Sequence, residues 1–126
     1  MNDSLETLVQ KIGNWGVQRN ITTLGGATPE SQMHKCMEEV IEWFQAEHRL
    51  EFLCNNRGKL QHECYESFEY AAFYDGLDAF GDILVCLIQA MRLSNVSMQD
   101  CLSHAWEQIK DRKGTMVNGK FVKEPE

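Results

Sequence analysis

The sequence has few positive charges and no long apolar run. Lysine and arginine together number 12 against 19 aspartates and glutamates, which gives a net charge of -7. Because binding to a nucleic-acid backbone requires a basic face, this balance argues against a nucleic-acid partner. The longest apolar run, Ile83 to Ile88, is too short to cross a bilayer. The first residues lack the basic and apolar segments of a secretory signal, so we expect neither membrane insertion nor secretion.

The cysteines also lack a recognisable framework. There are five, an odd number, and none forms a C-x-x-C pair. Three of them fall at apolar positions of helical patterns, where a free cysteine acts as a small core residue. This usage fits a reducing compartment, and a cytoplasmic location is predicted. The length of 126 residues predicts a single domain, residues 1–126, with a core of its own.

Apolar residues recur at helical spacing in four segments. The predicted helices run from a cap at Asp3 or Ser4 to before Gly25, from Pro29 to about Leu53, from about Cys64 to Leu93, and from Ser97 through Ile109, with Lys110, Arg112 and Lys113 closing the last. After Gly114 the periodicity changes, and Asn118-Gly119 between short β-prone segments predicts a hairpin over about 114–124. The predicted fold class is therefore all-α, a four-helix bundle with a short C-terminal β-hairpin tail.

Acidic residues gather on one side of each of the two central helices. On the second helix the acids are Glu38, Glu39 and Glu42, opposite an apolar stripe of Met33, Met37, Val40 and Phe44. On the third helix the acids are Asp75, Asp78 and Asp82, opposite a stripe of Phe73, Leu77, Phe80 and Leu84. We expect the apolar stripes to form the core, because each follows the 3.6-residue period.

Spacing alone leaves two interpretations of these acids open. Like charges one turn apart repel by ~0.2–0.5 kcal/mol per exposed pair, so either water screens them or a cation lies among them. Asp82 leads into Ile83–Ile88, which we expect to be buried all round, and no lysine or arginine lies between Glu69 and Met91. Acids on two helices can clamp Mg²⁺ or Mn²⁺. The alternative is a non-catalytic helical adaptor with a solvated acidic face.

Two stretches and the tail together resemble a known family. K-C-M-E-E-V-I-E-W (35–43) and D-A-F-G-D-I-L-V (78–85) resemble the E-E-x-x-E and E-x-x-D motifs of the MazG-like, all-α nucleoside triphosphate pyrophosphohydrolases. The tail I-K-D-R-K-G-T-M-V-N-G-K-F-V-K-E (109–124) is similar to that of a short, phage-type branch. The resemblance implies a MazG-type bundle that uses Mg²⁺ or Mn²⁺ to convert a nucleoside triphosphate to the monophosphate and pyrophosphate. It also implies a homodimer or homotetramer in a bacterial or phage-infected host cytoplasm.

The resemblance assigns roles to the acids. The implied metal ligands are Glu39, Glu42 and Asp82. Glu38 is a candidate either for a second metal ion or for deprotonating the attacking water. The family's glutamate of E-x-x-D falls on Ala79 here, so Asp78 would have to serve as the substitute ligand. The connection between the motifs, about residues 50–65, is longer than usual in the family.

Basic, aromatic and amide residues supply candidate substrate contacts. Those for the phosphates are Lys35, Lys110, Arg112 and Lys113, although cations at the end of the fourth helix are equally explained by the helix dipole. Trp15 can stack on a base, but its place in the first helix's apolar stripe favours a core position. The phage-type resemblance implies a purine deoxynucleoside triphosphate, dGTP first, and Asn20 and Asn118 are candidates to hydrogen-bond a guanine edge.

Overall fold

The structure is a computed structural model that describes residues 2–56 and 62–125. Its elements are α1 (Leu5–Gln18), α2 (Pro29–Asn55), α3 (His62–Leu93), α4 (Met98–Ile109), β1 (Gly114–Val117) and β2 (Lys120–Lys123). The predicted all-α class with a C-terminal hairpin is confirmed. The chain divides into two compact units, Met1–Asn95 with α1 to α3 and Val96–Glu126 with α4 and the hairpin. Among the described residues, no helix has both the length and the apolar character needed to span a membrane.

Local sequence signals explain where the helices of the first unit begin and end. Ser4 caps α1 by accepting a hydrogen bond from the Thr7 amide at 3.2 Å. The helix ends at Gln18, earlier than predicted, because Asn20 adopts a left-handed φ of 60° that a helix cannot continue through. Pro29 opens α2 as predicted, after a reciprocal cap between Thr28 and Ser31.

The second unit matches its predicted local structure. Ser97 caps α4 by accepting from the Asp100 amide at 3.0 Å. The two strands pair antiparallel, with Val117 opposite Lys120 and Gly114 opposite Lys123. The turn residues Asn118 and Gly119 have φ of 51° and 79°. Two successive positive values define the turn that two-residue hairpins prefer, and Asn-Gly adopts it at low cost.

In the first unit α3 packs against both α2 and α1. Three cross-helix pairs show that α2 and α3 are antiparallel, because the partner number falls as the α2 number rises: Glu39 with Asp82, Trp43 with Phe80, and Arg49 with Asp75. We call the contacting side of this pair the inner face. It comprises Cys36, Glu39, Trp43 and Ala46 on α2 and Ala72, Ala79, Asp82 and Cys86 on α3.

The predicted apolar stripes lie on the other side of α2 and α3, which we call the outer face. Its residues, each between 36% and 64% exposed, are Met33, Met37, Val40 and Phe44 on α2 and Phe73, Leu77, Phe80 and Leu84 on α3. The expectation that these stripes form the core is therefore wrong for the single chain. The segment Ile83–Ile88 is likewise not buried all round, since Leu84 is 48% exposed. Small side chains fill the α2–α3 contact instead, because they let two helices approach closely.

The contact between α1 and α3 depends on glycine. Gly13 and Gly16 are the buried residues of α1. The carboxamide of Gln89, itself buried, lies so close to Gly16 that a Cβ atom there would clash, and its Nε2 donates to the Ile12 carbonyl at 2.9 Å. The stripe predicted to bury α1 is more open, with Leu5 70% exposed. Glycine at this contact lets a polar side chain of α3 reach the α1 backbone.

Candidate metal centre

Three carboxylates from α2 and α3 converge, namely Glu39 and Asp82 of the inner face and the exposed Glu42 beside them. Glu39 and Glu42 lie one turn apart on α2, and Asp82 lies across from them on α3. One oxygen from each residue lies within 4.8 Å of the other two. These are the three residues that the sequence predicted as metal ligands, and the antiparallel packing of the helices brings them together.

Glu39 is the residue that distinguishes this group from a solvated acidic surface. It is 6% exposed, whereas Glu42 and Asp82 are exposed. Its Oε1 lies 3.3 Å from the Lys35 ammonium, but its Oε2 has no hydrogen-bond partner among residues 2–56 and 62–125. A buried carboxylate oxygen without a donor costs folding free energy, and buried charges are normally paired or bound to a metal. The unpartnered Oε2 is therefore the atom that fits a bound cation.

Among the described residues, the positive charge beside the group does not balance its negative charges. A hydrogen bond that protonated Glu42 can donate to Glu39, together with the Glu39 charge, raises the pKa of Glu42. Desolvation, with the charges of Glu39 and Asp78, raises the pKa of Asp82. The Lys35 ammonium lowers both pKa values but does not offset these effects. Both carboxylates are therefore harder to ionise than in water, the result expected when negative charges crowd together without enough positive charge.

The other acids predicted for the site lie outside the three-residue group. Glu38 is exposed, and its Oε2 lies 3.1 Å from the Lys35 ammonium. Asp78 is also exposed and acts on Asp82 through its charge. Ala79 is 3% exposed and occupies the inner face, so Asp78, about 100° further round the helix, does not share its direction. Asp75 is paired with Arg49 at 2.7 Å.

For the predicted base and phosphate contacts, the structure shows only their exposure and their local partners. Trp15 is 41% exposed, so the favoured core position is wrong, and the Arg19 guanidinium lies 5.7 Å from the centre of its ring. Asn20 accepts a hydrogen bond from the Thr23 hydroxyl at 3.3 Å, which gives it a local role in the loop after α1. The residues Lys110, Arg112, Lys113 and Asn118 belong to the second unit, with Lys110 paired to Glu107 at 2.7 Å. Their roles in substrate binding stay predictions.

The sequence contained a second pattern that would have placed Glu39 on the inner face. Cys36, Glu39, Trp43 and Ala46 follow alternating steps of three and four residues. Along α3 the same steps connect a longer series, namely Ala72, Asp75, Ala79, Asp82, Cys86 and Gln89. Such spacing marks the seam between two long helices. It was hidden because its members other than Trp43 are small or polar, whereas the more hydrophobic stripe lies alongside it.

Comparisons with protein-family models, with curated proteins and with solved structures return no match. The geometry and charges of this chain therefore carry the functional inference, together with the motif resemblance.

Proposed function

We propose that this protein is a Mg²⁺- or Mn²⁺-dependent nucleoside triphosphate pyrophosphohydrolase. It converts a nucleoside triphosphate, with a purine deoxynucleotide such as dGTP as the favoured substrate, to the monophosphate and pyrophosphate. The observation that supports this proposal is the buried Glu39, whose Oε2 has no partner within a group completed by Glu42 and Asp82. The resemblance of the two acidic motifs to MazG-like enzymes points to the same chemistry.

The donor set fits a hard divalent cation. Glu39, Glu42 and Asp82 would hold the ion through carboxylate oxygens, the ligands that Mg²⁺ and Mn²⁺ prefer. When bound, the ion supplies positive charge to the phosphates and makes the α-phosphorus more electrophilic. Two antiparallel helices fix the three carboxylates from opposite sides, so their positions depend on helix packing rather than on a loop.

Residues beside the group supply the remaining functions. Glu38, exposed and one position before Glu39, is the candidate that accepts a proton from the attacking water. Lys35 lies one turn earlier, with its ammonium 3.1 Å from Glu38 and 3.3 Å from Glu39. The partly exposed ring of Trp15 offers a surface on which a base can stack, with Arg19 beside it.

We also propose that a second copy of the chain covers the outer face, which gives a homodimer or a homotetramer. The outer face carries eight large apolar residues at 36% to 64% exposure. Contiguous apolar surface of this kind usually marks a protein–protein contact, because leaving it in water forgoes the hydrophobic free energy. The same surface favours the alternative function, a non-catalytic adaptor in which the outer face binds another protein.

Pyrophosphate release tests the proposed activity. The protein is incubated with dGTP, dATP, dCTP and dTTP under identical Mg²⁺, and kcat/KM is compared. We expect pyrophosphate and monophosphate as products, with a preference for a purine, because a site that pairs polar groups with one base leaves them unmatched with another. Equal turnover of a pyrimidine would overturn the purine preference alone. Absence of pyrophosphate with every nucleotide, in both Mg²⁺ and Mn²⁺, would overturn the activity and favour the adaptor.

A further inference from the structure

The ammonium group of Lys35 bridges two neighbouring glutamates. Its Nζ lies 3.1 Å from Oε2 of Glu38 and 3.3 Å from Oε1 of Glu39. The other oxygen of Glu39, Oε2, has no partner. The two oxygens of Glu39 therefore differ. Oε1 faces the Lys35 ammonium, and Oε2 is left to bind a cation.

The inner-face position one turn before Asp82 holds alanine. This residue, Ala79, is 3% exposed. A methyl group offers no ligand, and Asp78 and Glu38, the other two predicted ligands, lie outside the group of three converging carboxylates. One divalent ion together with the Lys35 ammonium supplies three positive charges against the four carboxylates that they would contact, Glu38, Glu39, Glu42 and Asp82.

We propose that the site holds one divalent cation per chain and that the Lys35 ammonium takes the place of a second cation at Glu38 and Glu39. This inference rests on the proposed metal site. In this arrangement the lysine is a fixed positive charge that holds Glu38 beside the site and keeps Glu39 Oε1 occupied. It limits the site to a single ion, and it does so before any nucleotide arrives.

Counting bound Mn²⁺ tests the proposal without any reaction. Free Mn²⁺ is followed by electron paramagnetic resonance while it is titrated into the full-length protein in the absence of nucleotide. We expect the wild type to bind one Mn²⁺ per chain. Lys35→Met releases Glu38 and Glu39 Oε1, so a second and weaker Mn²⁺ should appear. Lys35→Arg keeps the charge and should remain at one.

A matched control separates this effect from a general loss of positive charge. Lys11→Met removes another exposed lysine from an ion pair, with Asp3 at 2.6 Å, far along the chain from the acids. It should leave the count at one. Lys35 is itself exposed, so its variants should fold, and circular dichroism with Lys35→Gln as a second neutral variant checks this.

The outcomes separate this inference from the function on which it rests. Two Mn²⁺ ions in the wild type, or one in folded Lys35→Met and Lys35→Gln, would overturn the role of Lys35 and leave the metal-dependent activity standing. No Mn²⁺ bound to the wild type would overturn the metal site itself.

Discussion

The inner and outer faces of the α2–α3 pair have exchanged the roles that helix faces usually have. A helix in a soluble domain normally buries its apolar stripe and exposes its charges. Here the inner face buries Glu39 beside small residues, while the outer face exposes Phe44 and Leu84 by about half. Neither arrangement is favourable for an isolated chain, since one leaves a buried charge short of a partner and the other leaves apolar surface in water. The proposed cation at the inner face and the proposed second copy at the outer face would each relieve one of these costs.

The largest effect on turnover should follow from neutralising a carboxylate of the candidate metal site. We expect Glu39→Gln or Glu42→Gln to lower turnover by about a hundredfold or more, because a metal ligand contributes at least as much as the groups that orient it. The metal-free Glu39→Gln protein should melt a few degrees higher, since an amide removes repulsion and can donate to the neighbouring carboxylates. Pyrophosphate release and thermal melting measure the two effects.

Glu47→Gln is the matched control for that prediction. It makes the same chemical change at an exposed position of α2. Its turnover should stay close to the wild-type value. A near-native rate for Glu39→Gln would remove this residue from the mechanism.

A charge introduced on the outer face should weaken the proposed association between chains. Phe44→Glu places a carboxylate where the proposed contact buries an aromatic ring, and a symmetric dimer contains the change twice. Losing about 1.5–3 kcal/mol of burial per ring should weaken association by about a hundredfold or more. Light scattering at micromolar concentration should show an oligomer for the wild type and smaller species for the variant.

Gln45→Glu adds the same charge at the next position without removing apolar surface, so it should remain assembled. A monomeric wild type would contradict the assignment of a second copy to the outer face.

The α1–α3 contact involves neither a metal ion nor a second chain, so variants there test the helix packing alone. Gly16→Ala pushes a methyl group into the Gln89 carboxamide, and overpacking of this kind costs about 1–3 kcal/mol. Gly76→Ala serves as the control, because a Cβ there meets open space and alanine favours the helix by up to about 1 kcal/mol. Urea unfolding should show the first variant destabilised and the second unchanged or stabilised. Equal stability of both variants would contradict close packing at Gly16.

The smallest effect concerns pH. The pKa values of Glu42 and Asp82 are raised in the folded protein, so the folded state holds protons that the unfolded state has already released. The metal-free protein should therefore lose stability as pH rises above the ordinary carboxyl range, from about 4 towards neutrality. Asp82→Asn should make this loss smaller. If wild-type stability instead rises over that interval, the acids are not crowded as described.

The sequence predicted the elements better than their packing. Ser4, Pro29, Ser97 and the Asn118-Gly119 turn act through their immediate neighbours, and their predicted positions are confirmed. The choice of which helix face packs inward depends on the whole fold, and there the more hydrophobic stripe was misleading. Trp15 was misplaced for the same reason, since the glycines of α1 rather than its large residues contact α3.

The residues of the candidate site could be predicted from the sequence, but their burial could not. Glu39, Glu42 and Asp82 were singled out from their spacing and from the motif resemblance, and the structure brings them together. The burial of Glu39 could not be foreseen without knowing which face α3 covers. The ion pair of Lys35 with Glu38 and Glu39 follows from helical spacing. The proposed limit of one cation also depends on Ala79, and the sequence does not show that Ala79 lies on the inner face.

Thermal melting with and without Mn²⁺ tests the central claim, that Glu39, Glu42 and Asp82 form a cation site, most directly. At 1 mM Mn²⁺, a site with a Kd of about 10 µM would stabilise the folded protein by about 2.7 kcal/mol. The wild type should then melt several degrees higher, whereas Glu39→Gln should show little or no shift. An unchanged melting temperature for the wild type across millimolar Mn²⁺ would contradict the account and leave the acids as a solvated face.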